Sequence, residues 1–204
     1  MSLPVPPELP DDVQALIFDC DGTLADTFSA HYRTFCTALA PYKVEFTAAF
    51  YAARVGMSRR QLLEALQNET GIAIDDADIA VRTPPIFLEN IYAVTAIPVT
   101  EGLARRHHGR LKMAVASAGQ KSVVRASLKA IGLIGLFDTI VTIEDTGKAK
   151  PEPDLFLKAA ANMSMSPDAV MVFEDSDEGI EAARRAGMRC IDIRPYYQSD
   201  PARW

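Results

Sequence analysis

The stretch that decides the fold of this chain is Leu16-Ile17-Phe18-Asp19-Cys20-Asp21-Gly22-Thr23-Leu24. The largely apolar run Val13–Phe18 is short and ends in two carboxylates, a pattern typical of a buried strand in a parallel sheet. Because alternate side chains of an extended segment point the same way, we expect Asp19 and Asp21 to project together from the strand's carboxyl end. Neighbouring carboxylates repel unless a cation or a shared proton relieves them. The pair predicts either a Mg²⁺ site with a nucleophilic and an acid–base aspartate, or an ordinary solvated turn at Gly22.

The composition is that of a folded, acidic protein. Hydrophobic residues make up 49% of the 204 residues and the net charge is −6, which disfavours binding to nucleic acids or anionic membranes. No apolar run reaches the length of a membrane span, and residues 1–10 lack the basic start of a signal peptide. The three cysteines, Cys20, Cys36 and Cys190, are widely spaced, so we expect free thiols and a cytoplasmic protein.

The hydrophobic pattern divides the chain into two parts. We expect residues 11–26 and 99–204 to form an α/β core with a doubly wound parallel sheet, because strands alternate with helices in the second half. Core strands are predicted at Lys112–Ser117, Thr139–Ile143, Ala169–Phe173 and Arg189–Ile193. We expect residues 27–98 to form an inserted helical domain. Its predicted helices are Phe28–Leu39, Glu45–Val55, Arg59–Glu69 and Thr83–Ala93, the last with proline at its first position.

Three later strands also end in residues suited to phosphate chemistry. Ser117-Ala118 lies between a strand and a helix, where a hydroxyl and free backbone amides predict an anion site or simply a helix cap. Lys150, in a proline-rich loop, is placed to balance the charge of a phosphate, and the alternative is a solvated surface lysine. Glu174 and Asp175 predict Mg²⁺ ligands, or acids that favour the N-terminus of the next helix.

In this order, the motifs resemble those of the haloacid dehalogenase superfamily of hydrolases. They are Asp19-Cys20-Asp21-Gly22-Thr23, Ser117, Lys150-Pro151 and Glu174-Asp175. The resemblance implies a Rossmann-like core and phosphoryl transfer through an aspartyl-phosphate, with Asp19 as the nucleophile and Asp21 as the general acid and base. It also implies phosphate-binding residues Thr23, Ser117, Ala118 and Lys150, and Mg²⁺-binding residues Asp19, Asp21 through its backbone oxygen, Asp175 and, directly or through water, Glu174.

Further residues resemble the β-phosphoglucomutase-like branch of this superfamily, whose members carry a helical cap after the first motif. The string Phe173-Glu174-Asp175-Ser176, with Gly179 beyond it, is similar to that branch. The resemblance places His31 near the nucleophile and Arg59 on a substrate phosphate. A partly buried helix histidine is the alternative interpretation of His31, and Arg60 is the alternative to Arg59.

The resemblance predicts a Mg²⁺-dependent phosphatase of small phosphorylated metabolites such as phosphosugars. From the composition we expect no nucleic-acid or membrane partner, and we expect a monomer. A mutase of the same branch is the first alternative, although such enzymes use a cap lysine and residues 44–111 contain none. A non-catalytic phospho-acceptor module resembling a bacterial receiver domain is the second. The Asp19-x-Asp21 spacing and the helical insertion disfavour that module.

Overall fold

The structure is a computed structural model that describes residues 8–54 and 56–200. No signal peptide is expected in residues 1–10. Of these residues, 1–7 lie outside the described part of the chain. The chain divides into two compact units. The first, here called the sheet unit, contains the residues up to Asp26 and Thr95–Ser199. The second, here called the helical unit, is formed by Thr27–Val94.

Parallel strands form the centre of the sheet unit. The strands are β1 (Ala15–Phe18), β2 (Ala25–Asp26), β3 (Thr95–Ala96), β4 (Lys112–Ala116), β5 (Thr139–Val141), β6 (Val170–Glu174) and β7 (Arg189–Asp192). In the described part of the chain, five of them form one sheet in the order β5-β4-β1-β6-β7, and every neighbouring pair is parallel. The short strands β2 and β3 form a separate antiparallel pair. The predicted α/β fold with a parallel sheet is therefore confirmed.

Helices precede, follow and connect these strands. Those of the helical unit are α1 (Phe28–Leu39), α2 (Ala48–Ala52), α3 (Arg59–Thr70) and α4 (Asp76–Glu89). Those of the sheet unit are α5 (Pro98–His107), α6 (Lys121–Ala130), α7 (Ile143–Thr146), α8 (Asp154–Asn162) and α9 (Asp177–Arg185). None of the described helices is long and apolar enough to cross a membrane.

Strand β1 is buried on both of its faces. Ala15 and Ile17 belong to one apolar cluster, and Leu16 and Phe18 to another, and all four are completely buried. Side chains of a strand alternate between the two faces of the sheet, so a strand covered on both sides must be apolar throughout. This explains why the polar residues of the first motif begin only where β1 ends.

The prediction of a helix at Thr83–Ala93 is wrong, because the helix in this region is α4. Helix α4 begins earlier, because the side chain of Asp75 accepts hydrogen bonds from the backbone amides of Ala77 and Asp78 and caps it. The prolines at 84 and 85 therefore lie inside this helix and do not open a new one.

Other predictions differ from the structure in their boundaries. The strand expected at Thr139–Ile143 ends at Val141, and Ile143 begins α7. The helix expected at Glu45–Val55 is the shorter α2. Thr47 caps its start, because the Thr47 hydroxyl accepts a hydrogen bond from the backbone amide of Phe50 at 3.1 Å. Val55 lies outside the described residues. The sheet unit resumes at Thr95 and not at residue 99, because the unpredicted strand β3 pairs with β2.

Candidate active site

The carboxyl ends of β1, β4 and β6 bring the predicted site residues to one edge of the sheet. Phe18 is level with Val115 on one side and with Phe173 on the other. The residues that follow these strands therefore meet at the same edge, which is where open α/β sheets bind ligands. The backbone amide of Asp19 donates to the carbonyl oxygen of Phe173 at 3.0 Å, which fixes the position of Asp19 against the end of β6.

Lys150 lies between two buried carboxylates. Its ammonium Nζ donates to Asp19 Oδ1 and to Glu174 Oε1. The three side chains are only 7%, 9% and 1% exposed, in the order Lys150, Asp19 and Glu174. By contrast, Lys148 is 59% exposed and pairs with Asp154 on the surface. The proline-rich loop thus directs Lys150, and not Lys148, into the interior.

The charges of this cluster set the pKa values of its members. Burial raises the pKa of Asp19 well above its ordinary value, while the Lys150 ammonium opposes that rise. Burial alone would lower the pKa of Lys150, but the adjacent carboxylates of Asp19 and Glu174 raise it above the usual value. Lys150 is therefore a permanent cation at neutral pH, held next to the oxygen atoms of Asp19.

Glu174 is held in place by the start of helix α9. Its Oε2 accepts from the backbone amides of Asp175 and Ser176, both at 2.8 Å, and from the Ser176 hydroxyl at 2.9 Å. A Cβ added at Gly179 would lie only 2.0 Å from Glu174 Oε1, so this side chain needs the space that a glycine leaves. Both carboxylate oxygens of Glu174 thus have partners, which favours positioning of Lys150 over direct ligation of a metal.

Asp175 contacts the first motif. The hydroxyl of Thr23 donates to Asp175 Oδ1 at 2.9 Å. Gly22 has a φ of +82°, and a Cβ there would lie 2.2 Å from Asp175 Oδ2, so the turn both requires and exploits a glycine. Burial and the nearby Glu174 raise the pKa of Asp175 to about 7. The Thr23 side chain is fully buried and supports Asp175, and its predicted contact with a phosphate stays a prediction.

Asp21 and Ser117 lie on either side of a loop of small residues. The amide of Gly119 donates to Ser117 Oγ at 3.0 Å. A Cβ at Gly119 would lie 3.2 Å from Ser117 Oγ and 3.4 Å from Asp21 Oδ2, so both groups border the same loop. Ala118 is the residue between Ser117 and Gly119. The structure thus brings Asp21, Ser117 and the loop together, as a phosphate cradle requires.

His31 and Arg59 belong to the helical unit. The His31 ring packs against Phe87, with 4.6 Å between the ring centroids. The Arg59 Nε donates to Asp76 Oδ1 at 2.8 Å, and the Arg59 side chain is 35% exposed. Arg60 pairs with Glu64 and is far more exposed. The roles of His31 and Arg59 toward a substrate stay predictions.

The carboxylates at this edge fit a hard divalent cation. Asp175 lies against the turn at Gly22 that follows Asp21, and the charges of Asp175 and Asp21 each raise the pKa of Asp19 further. No group of three or more His, Cys, Asp or Glu residues within 8–54 and 56–200 is arranged to hold a metal. Mg²⁺ does not require one, because it prefers oxygen ligands, keeps several waters and often takes only one or two carboxylates. Asp19 and Asp175 could supply these.

Comparison with known proteins identifies the family. Residues 16–193 match the family described as haloacid dehalogenase-like hydrolase. The chain belongs to this family. This haloacid dehalogenase-like hydrolase is 32% identical to the fructose-1-phosphate phosphatase of Escherichia coli over 180 residues, 88% of this chain and 95% of that protein. The predicted superfamily and the prediction of an enzyme are thereby confirmed.

Two further relatives agree with this assignment. The chain is 27% identical to a phosphorylated carbohydrates phosphatase of Thermotoga maritima, covering 88% of this chain and 84% of that protein. Its structure resembles the crystal structure of a hydrolase from Pseudomonas syringae with a TM-score of 0.72 and 28% identity, covering 91% of this chain and 87% of that one.

Residues that support the site were harder to find in the sequence. Ser176 and Gly179 lie in the string that resembles the β-phosphoglucomutase-like branch, but the sequence predicts no role for either of them. A glycine within a helical pattern does, however, indicate close packing. Thr100 donates from its hydroxyl to the carbonyl oxygen of Thr23 at 2.5 Å and so ties α5 to the first motif. Nothing local marks Thr100, because its partner lies 77 residues away.

Replacing Lys150 should destabilise the fold. In Lys150→Ala, Asp19 and Glu174 are left buried without their cation, and we expect a loss of roughly 3–5 kcal/mol in the free energy of unfolding at pH 7. Urea denaturation in the presence of a chelator measures this loss. The exposed Lys148→Ala is the matched control and should change stability by less than about 0.5 kcal/mol.

The same comparison has a defined pH dependence. Without Lys150 the carboxylates bind protons more readily in the folded state, so the deficit of Lys150→Ala should shrink as the pH falls from neutral toward the acid range. A deficit that grows on acidification would contradict the assignment of Lys150 as the charge partner of Asp19 and Glu174.

Proposed function

We propose that this hydrolase is a Mg²⁺-dependent phosphatase of small phosphorylated metabolites, and that it acts through an aspartyl-phosphate on Asp19. The observation that carries the proposal is the buried Lys150 ammonium bound to Asp19 and Glu174. A permanent cation beside a carboxylate at the carboxyl edge of a parallel sheet supports transfer of a dianionic group to that carboxylate.

In the first half-reaction a carboxylate oxygen of Asp19 attacks phosphorus. A bond forms between that oxygen and phosphorus, and the bond from phosphorus to the ester oxygen breaks. Asp21 gives its proton to the departing alcohol, which leaves neutral. Ser117, the amides of its loop and Lys150 hold the phosphoryl oxygens and offset their charge.

In the second half-reaction water replaces the alcohol. Asp21, now ionised, takes a proton from the water as its oxygen bonds to phosphorus. The bond between phosphorus and the Asp19 oxygen breaks, which releases inorganic phosphate and regenerates the Asp19 carboxylate. Because the donated proton is recovered from water, Asp21 returns to its starting state after each cycle.

Asp19, Asp175 and the backbone oxygen of Asp21 are the groups that would hold Mg²⁺. When bound, the ion supplies positive charge that offsets the repulsion between the carboxylates and the phosphate. Thr23 and Gly22 keep Asp175 in position for this task. Glu174 acts on Lys150, since its own oxygens are engaged by Lys150, the Ser176 hydroxyl and two backbone amides.

Sugar phosphates are the proposed substrates. The two phosphatase relatives are named for fructose 1-phosphate and for phosphorylated carbohydrates, and their similarity extends over almost the whole chain. We propose that the helical unit selects the substrate, with His31 and Arg59 as contact candidates, and that the enzyme works as a cytoplasmic monomer without nucleic-acid or membrane partners. Hydrolysis is favoured over a mutase reaction because residues 44–111 offer no lysine to grip a second phosphate.

Loss of the nucleophile should abolish turnover. Asp19→Asn keeps the shape of the side chain but removes the attacking oxygen's charge, so we expect phosphate release from fructose 1-phosphate to fall by about 10⁴-fold or more. Asp21→Asn should be nearly as damaging with this alkyl ester, yet milder with p-nitrophenyl phosphate, whose leaving group needs little protonation. Asp11→Asn, an exposed carboxylate just before β1, is the control. Substantial activity in Asp19→Asn would refute the mechanism.

Metal removal should stop the reaction reversibly. After chelation we expect no phosphate release, full recovery on adding Mg²⁺, and inhibition by Ca²⁺, because the larger ion takes more oxygen ligands and could occupy both oxygens of Asp19. Phosphate release measured across a titration of each ion decides this. Undiminished activity after exhaustive chelation would be incompatible with a metal-dependent phosphatase.

The support of Glu174 can be tested without changing a charged group. In Gly179→Ala the new methyl group collides with Glu174, which must move and take Lys150 with it, so we expect kcat to fall by about 10²-fold. Gly102→Ala in helix α5 is the matched control, because a Cβ there meets nothing within 4 Å. Equal activity of the two variants would show that the position of Glu174 does not matter for catalysis.

A further inference from the structure

The edge of the sheet opposite the candidate active site contains a cavity. Its volume is about 560 Å³, within the range of small-molecule sites. Gln14, Leu111 and Asp138, the residues just before β1, β4 and β5, are among those that line it. The candidate active site follows the other ends of the strands, so the length of a five-residue strand, about 16 Å, separates the two sites.

The rim of this cavity is basic although the chain as a whole is acidic. Residues 105–112 read Arg-Arg-His-His-Gly-Arg-Leu-Lys, in a protein with a net charge of −6. His108, Arg110 and Lys112 line the cavity. Clefts lined by one sign of charge concentrate ligands of the opposite sign. The local charge therefore favours an anion.

One of these cations is available to a ligand. Lys112 is paired with Asp138, the acidic residue of the lining, at 2.9 Å, and the amide of Met113 also donates to that carboxylate. The Nδ1 of His108 lies 3.2 Å from the carbonyl oxygen of Leu136. Within residues 8–54 and 56–200, the exposed Arg110 side chain has no hydrogen-bond or ion-pair partner. A guanidinium in this state suits a phosphate group, which it can bind through two parallel hydrogen bonds.

Apolar side chains form another part of the lining. Three apolar residues that line the cavity, Leu136, Phe137 and Met165, also pack against the two apolar clusters of the sheet. Gly135 also faces the cavity, and a Cβ there would meet no atom within 4 Å. A compound with an apolar body and an anionic group therefore suits this cavity, because its body can pack against the apolar side chains and its anionic group can bind Arg110.

We propose that this cavity is a second ligand site, which binds a small phosphorylated compound with an apolar or aromatic portion, its phosphate on Arg110. The site is independent of the proposed phosphatase reaction and shares no residue with it. Adenosine 5′-monophosphate is a suitable probe, and adenosine is the matched neutral compound. Chelated, metal-free protein prevents turnover of the probe.

Hydrogen exchange locates the probe. We expect AMP, and not adenosine, to slow the exchange of amides in residues 107–113 and 133–138. Protection restricted to residues 19–23 and 117–119 would mean that AMP occupies only the candidate active site and would overturn the proposal. Equal protection by adenosine would overturn the role of the phosphate.

Calorimetric titration of variants tests the named residues. Arg110→Ala should raise the Kd for AMP by about tenfold or more, the expected effect of losing hydrogen bonds to a charged group. Arg106→Ala removes a charge from the same basic run, but at a residue outside the lining, and should leave the Kd nearly unchanged. Equal weakening in both variants would show a diffuse electrostatic effect and refute the site.

A second variant tests the cavity itself. Gly135→Leu should fill the cavity and abolish binding, whereas Gly135→Ala should weaken it less. Thermal unfolding checks that both proteins remain folded. If Gly135→Leu is not folded, the affinity of Arg110→Ala decides the test. Unchanged affinity in a folded Gly135→Leu protein would contradict the proposed location.

Discussion

The ion pair of Lys150 with Asp19 and Glu174 is the interaction on which the rest of the site depends. Two carboxylates and one ammonium are buried together, and burial of charge is favourable only when each charge has partners. Three segments of the chain supply these partners. The end of β1 supplies Asp19, the proline-rich loop supplies Lys150, and the start of α9 holds Glu174 by amides and a hydroxyl. The cluster thus links separate segments through electrostatics.

The sheet makes this concentration of charge possible. Strand β1 is apolar on both faces and central in the sheet, so polar residues can appear only beyond its ends. At the carboxyl end this rule leads to the candidate active site, and at the amino ends of β1, β4 and β5 it leads to the basic cavity around Arg110. The same architecture therefore produces two polar regions with opposite character, one rich in carboxylates and one with an available cation.

The sequence predicted those features that arise from local patterns. Apolar runs followed by acids identified β1 and β6, and the burial of Lys150 agrees with its predicted place beside a charged group and not on the surface. Features that depend on distant partners were missed. The contact of Thr23 with Asp175 and the strand pair β2–β3 each join segments far apart in the chain, and no local pattern encodes them. Helix α4 was misplaced because two prolines resembled a helix start, whereas the cap at Asp75 determined where it begins.

The sheet order also has a consequence for the newly made chain. Asp19 is near the beginning of the sequence, but the partners of its strand, β4 and β6, are separated from it by some of the longest connections in the protein. Contacts between distant segments form late, because long loops must close first. Asp19 therefore meets Lys150 and Glu174 only after the ribosome has synthesised the long segments that separate them. A fragment that ends before residue 150 would lack the cation that lies next to Asp19.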